Sequence, residues 1–113
     1  MKDNRSDPVI DPQRLRGAAE NAVAALKVLA NPERLLLLCQ LSHGEFSVGE
    51  LEEQLDIHQP TLSQQLGVLR SQGVVATRRE GKNIYYSVAD PNLLEILLVL
   101  YRLYCPKEQD HDH

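Results

Sequence analysis

The sequence predicts a mainly α-helical fold with one small β-hairpin. Three observations lead there. Asp11-Pro12, Asn31-Pro32 and Asp90-Pro91 each place a capping side chain and a first-turn proline before an apolar run. Ser47-Val48-Gly49-Glu50 has capping-box spacing, with Ser at the cap and Glu three residues on. Val74–Arg78 and Ile84–Val88 are rich in β-branched and aromatic residues and flank Glu80-Gly81-Lys82-Asn83, a hairpin tip.

Composition bounds the rest. A chain of 113 residues makes one domain, at the small end of what buries its own core. With 42% hydrophobic and 25% charged residues, the profile is that of an ordinary water-soluble protein. Four Tyr, one Phe and no Trp leave the core to Leu, Val and Ala. No apolar run approaches the ~20 residues of a membrane span, and MKDNRSDPVID is too polar for a signal peptide. A cytoplasmic protein without a membrane partner is expected, with its two cysteines kept as thiols. The net charge of -4 argues against broad, non-specific nucleic-acid binding.

Residues 1–11 lack apolar periodicity and read as a disordered tail. In the first helix Leu15, Ala18, Ala19, Ala22, Leu26 and Leu29 fall at helical spacing. Its alanines admit another backbone closely, so it reads as a packing helix suited to a dimer interface. PERLLLLCQLS has almost no polar face and reads as a central buried helix, stopped by Gly44. The third helix, opened at Ser47, buries Val48, Leu51 and Leu55. After the short turn Asp56-Ile57-His58, Gln59-Pro60 starts a fourth, with Leu62, Leu66 and Leu69 inward and Gly73 at its end. The hairpin follows, and then NLLEILLVLYRLYC, closed by Pro106. Residues 106–113 read as a second disordered tail, leaving 12–105 as the folded domain.

Five helices in the order α-α-α-α-β-β-α make a winged helix-turn-helix. In that architecture the second helix of the pair enters the major groove with its N-terminal side chains near base edges. Those positions hold Gln59, Thr61, Ser63, Gln64 and Gln65. Gln suits adenine N6/N7, and Ser or Thr suits several partners. The same residues would also serve on any solvated helix. Arg70, Arg78, Arg79 and Lys82 tilt the balance, because against Glu80 and Asp90 they make residues 57–90 net +2. Such cations suit phosphate, which positions a protein without specifying sequence. The carboxylates Glu45, Glu50, Glu52, Glu53 and Asp56 gather on or beside the supporting helix, which need not enter the groove.

Other residues carry plainer readings. Tyr85 and Tyr86 alternate on a strand, one packing inward and one facing out. Arg34 reads as a salt-bridge partner within reach of phosphate, and His43 and His58 as exposed turn residues, with His58 able to cap the recognition helix or touch phosphate. No Ser-His-Asp set, carboxylate pair or phosphate loop stands out, so no enzyme is expected. Taken alone, Cys39 reads as a small core hydrophobe and Cys105 as a surface thiol. A reactive pair is the alternative, which sequence separation does not decide. His111 and His113 belong to a tail that is inert or a loose metal binder.

NPERLLLLCQL, GEFSVGELEEQL, QPTLSQQLGVLRSQGVV and TRREGKNIYYSV, in this order, resemble the ArsR/SmtB family of winged-helix repressors across residues 12–105. The resemblance implies a homodimer through the first and last helices, bound to an AT-rich inverted-repeat operator in double-stranded DNA until an inducer releases it. Some relatives hold arsenic or cadmium on two cysteines of an E-L-C-V-C-D-L motif. Here Ser47 and Gly49 stand at those places. Others use Asp and His on the last helix. Here Asp90 matches the first ligand, but Asn92 stands where the next His would be. The resemblance therefore implies no metal site and no cofactor.

L-L-C-Q-L and L-Y-C-P place Cys39 and Cys105 where the thiol-based branch carries its sensor pair. This branch comprises reactive-sulfur-sensing repressors of the biofilm growth-associated and sulfide:quinone reductase repressor type. It implies release from DNA when the two thiols react with persulfide to form a disulfide or polysulfide bridge. The rival triggers are peroxide or disulfide stress, or a metal ion. The rival class is a helical interaction module that does not bind DNA.

Overall fold

The computed structural model describes residues 11–105. Its elements are α1 (Pro12–Leu29), α2 (Pro32–Leu41), β1 (Phe46–Ser47), α3 (Val48–Leu55), α4 (Thr61–Ser71), β2 (Val75–Glu80), β3 (Asn83–Val88) and α5 (Pro91–Tyr104). Of the expected tails at 1–11 and 106–113, residues 1–10 and 106–113, with His111 and His113, lie outside the described residues, while Asp11 is described.

The predicted caps form. Asp11 accepts from the Gln13 N–H at 3.0 Å and Asn31 from Arg34 N–H at 3.0 Å, while Asp90 accepts from Asn92 N–H at 2.9 Å. At α3 the capping box is reciprocal: Ser47 Oγ accepts from Glu50 N–H at 3.2 Å, and Glu50 accepts from Ser47 N–H at 2.9 Å. Each cap satisfies N–H groups that a helix start leaves unpaired.

The sheet differs from a plain hairpin. β1 joins it, giving the antiparallel order β1-β3-β2 with Phe46 opposite Tyr86 and Ser47 opposite Tyr85. Two residues between a helix stop and a cap are too few to show a period of two. The hairpin tip is also tighter than its four-residue signal: Glu80 pairs with Asn83, so Gly81 and Lys82 alone make the turn. Gly81 has φ 64°, as a two-residue hairpin turn requires.

Leu37, Leu38, Leu51, Leu62, Leu66, Leu69 and Leu97 are fully buried and join α2, α3, α4 and α5 in one core. Among the described residues no polar or charged side chain is buried. Phe46, Tyr86 and Val88 pack on this core from the inner face of the sheet. α2 is less enclosed than its leucine run suggests, since Leu36 remains 46% exposed. α1 buries only Leu29, leaving Leu15, Val23 and Leu26 exposed. Arg34 neither forms an ion pair with a described residue nor turns to solvent. Its Nε donates to Val28 O at 2.8 Å and its Nη2 to Lys27 O at 3.2 Å, closing the C-terminal end of α1. Among the described residues no helix is long and apolar enough to cross a membrane.

Candidate nucleic-acid interface and thiol pair

The α3–α4 turn is built by two residues. Asp56 takes the left-handed conformation (φ 57°) that ends α3, which a short polar side chain tolerates, and Ile57 is buried beneath it. α4 then begins at Thr61. Gln59 stands before the helix, and its side-chain oxygen accepts from Ser63 N–H at 3.1 Å. His58 contributes its carbonyl, which accepts from Leu62 N–H at 3.2 Å. Its ring lies against acidic groups, Nε2 at 2.9 Å from Asp56 and Nδ1 at 3.8 Å from Glu52.

With Leu62, Leu66 and Leu69 turned into the core, the opposite face of α4 is held toward solvent. Gln59, Ser63 and Gln64 are exposed, whereas Thr61 and Gln65 are half-buried at its flanks. Val68, which sequence reasoning passed over, is 44% exposed and lies one turn beyond Gln64. An apolar group there has the chemistry to meet a thymine methyl. Arg70 is exposed near the helix end.

The wing cations divide. Arg79 and Lys82 are exposed, and neither forms an ion pair with a described residue. Arg78 is engaged by two carboxylates: Nη2 lies 2.9 Å and Nε 3.1 Å from Glu45, and Nη1 lies 3.0 Å from Glu80. Its guanidinium also sits 5.0 Å from the centre of the Tyr85 ring. The hydrogen bonds from Arg78 hold the Glu45 carboxyl below its ordinary value, and the same bonds push the Arg78 guanidinium further up. Glu45 was legible only as one of several carboxylates.

The thiols lie on two helices that pack together, Cys39 within α2 and Cys105 at the C-terminal cap of α5. Cys39 is half-buried against the core and Cys105 is exposed at the end of α5. Burial pushes the Cys39 thiol up, and the charge of a Cys105 thiolate, near enough to be felt, adds to the rise. His43 meets Tyr101 edge-on with ring centres 4.6 Å apart. His43 is thus exposed but not idle. Among the described residues, no three His, Cys, Asp or Glu side chains gather as metal ligands would.

A solvent-facing helix after a tight turn, braced by a three-stranded wing, defines a winged helix-turn-helix regulatory protein. Residues 31–77 match the family described as bacterial regulatory protein, arsR family. The chain is 52% identical to the biofilm growth-associated repressor of Agrobacterium fabrum, over 88% of this chain and 84% of that one. It is similar in structure to the transcriptional repressor BigR from Xylella fastidiosa, with a TM-score of 0.77 and 45% identity, covering 87% of this chain and 100% of that one. Reduced HlyU from Vibrio cholerae superposes with a TM-score of 0.77 at 39% identity, covering 83% and 99%. The protein belongs to the arsR family of bacterial transcriptional regulators, and its fold serves DNA binding and not catalysis.

Proposed function

We propose that this protein is a homodimeric, cytoplasmic repressor that binds an AT-rich inverted-repeat operator and is released when Cys39 and Cys105 react with a persulfide. The observation that supports this reading is that the two cysteines lie on helices that pack together, Cys39 within α2 and Cys105 at the C-terminal cap of α5, with the Cys105 charge adding to the rise at Cys39. Dimerisation through α1 and α5 suits the apolar side chains they expose, Leu15 and Leu26 on one and Leu98, Leu103 and Tyr104 on the other. Gln59, Thr61, Ser63, Gln64 and Gln65 read bases, while Arg70, Arg79 and Lys82 bind phosphate.

The exposed Cys105 reacts first. Its thiolate attacks the outer sulfur of R–S–SH, forming Cys105–S–SH and releasing R–S⁻. The Cys39 thiolate then attacks Sγ of Cys105, forming the disulfide and expelling HS⁻. If a second R–S–SH first extends the adduct to Cys105–S–S–SH with release of R–S⁻, attack of the Cys39 thiolate on the middle sulfur expels HS⁻ and leaves a trisulfide bridge. Release requires the bridged state to fit the non-binding arrangement better than the binding one. A bridge between α2 and α5 meets that need because α5 also belongs to the proposed dimer interface, which sets the spacing of the two reading helices.

The test is release from operator DNA across persulfide, peroxide and glutathione disulfide, with Cys39→Ser and Cys105→Ser. Persulfide should release the wild type and neither variant. Mass spectra should show additions of about 32 Da per sulfur, or loss of about 2 Da for a plain disulfide. Release of both variants by persulfide would refute the thiol switch, and release by peroxide alone would name a different trigger.

A further inference from the structure

Arg78 reaches across the sheet. Ser47 on β1, Tyr85 on β3 and Arg78 on β2 form one row, so their side chains share the outer face. Phe46, Tyr86 and Thr77 form the next row on the inner face. From β2, the Arg78 guanidinium passes over the Tyr85 ring on the middle strand and meets Glu45 at the start of the opposite edge strand. One side chain thus ties both edges of the sheet together over its centre. Glu80, two residues on, holds the third nitrogen at 3.0 Å.

We propose that Arg78 is a positioning residue and not a phosphate ligand: with Glu45 it latches the wing to β1 and so sets where Arg79 and Lys82 meet the DNA backbone. This rests on the DNA-binding reading above. Carboxylates engage one N–H on each of the three guanidinium nitrogens, three of its five donors, and the two carboxylates beside the remaining pair repel a phosphate. The latch also has a fixed base, since β1 runs directly into the Ser47 cap of α3. The wing is therefore aligned to the helix that supports α4. Arg79, paired opposite Ile84 on the inner face, and Lys82 at the tip remain available for the backbone.

The sign of one substitution separates the two roles. Glu45→Ala removes a negative charge from the DNA-facing region. If Arg78 were a phosphate ligand restrained by Glu45, the variant would bind DNA more tightly, with a steeper salt dependence. The latch predicts the opposite: affinity for a labelled mixed-sequence duplex at low salt should fall about three- to tenfold, with the salt slope no steeper. Arg78→Ala should fall similarly, and the double variant should lose no more than either single one. Thermal midpoints should move little, because exposed ion pairs add little stability. Tighter or unchanged binding by Glu45→Ala overturns the latch. If the wild type itself fails to bind the duplex, the DNA reading fails instead. Amide exchange then decides the latch alone, since Glu45→Ala should speed exchange from Thr77 to Ile84, and unchanged exchange there overturns it.

Discussion

His43, in the turn after α2, and Tyr101 of α5 meet edge-on with ring centres 4.6 Å apart. Cys39 lies four residues before His43, and Cys105 four residues after Tyr101. The ring pair is thus a rung between the turn after α2 and the last turns of α5, close in sequence to both thiols. An edge-to-face pair of this kind favours one mutual placement of the two chains.

Loosening that rung should slow bridge formation without blocking the first thiol reaction. Tyr101→Ala should lower the rate of Cys39–Cys105 closure by about tenfold, within the range that small misplacements of reacting groups produce. Alkylation of Cys105 should not fall, because it is exposed already. Stopped-flow closure beside single-thiol labelling checks both, and equal slowing of the two would remove the positioning role.

The thiol chemistry also has a pH signature. Burial is the larger cause that raises Cys39, and the Cys105 charge is the smaller. A raised pKa means less thiolate at a given pH, so alkylation of Cys39 should reach half its limit above the ordinary thiol value. In Cys105→Ser the smaller cause disappears and burial remains. The midpoint should then move down and stay above ordinary. Mass-resolved iodoacetamide labelling across alkaline pH measures it, and an unchanged midpoint would show that the two thiols do not sense one another.

Most of the architecture was legible because it rests on local chemistry. Caps at Asp11, Asn31, Ser47 and Asp90 and the period of Leu62, Leu66 and Leu69 need only neighbours in the chain. The misses are tertiary relations or weak local signals. β1 exists because β3 offers it an edge, Arg34 turns back to the end of α1, and Arg78 meets a carboxylate 33 positions away. Gln59 belonged to the expected reading set, yet its oxygen also closes the start of α4. A cap signal is strong for Ser or Asp and weak for Gln, so nothing marked it.

Stability should separate the core from the caps. Leu62 is wholly buried between α4 and its neighbours, and Leu62→Ala should cost about 2–5 kcal/mol. Ser47→Ala removes one half of the capping box and should cost about 1 kcal/mol. Urea unfolding at one fixed protein concentration compares them, since self-association would shift both midpoints. Equal losses would mean that Ser47 holds the β1–α3 junction more firmly than its two hydrogen bonds imply.

Reading and anchoring residues should respond differently to DNA sequence. Gln64 is exposed at the centre of the α4 face, while Lys82 stands at the wing tip. Gln64→Ala should cost about 1–3 kcal/mol on the operator and little on unrelated duplexes, because an amide contact to a base edge is lost only where that base is present. Lys82→Ala should weaken both duplexes alike and lower the salt slope of the dimer by about 2, one phosphate contact fewer per protomer. Salt titrations on the two duplexes distinguish them. If Gln64→Ala weakened both duplexes equally, α4 would be holding backbone instead of reading bases, and sequence preference would have to come from the shape and deformability of the DNA.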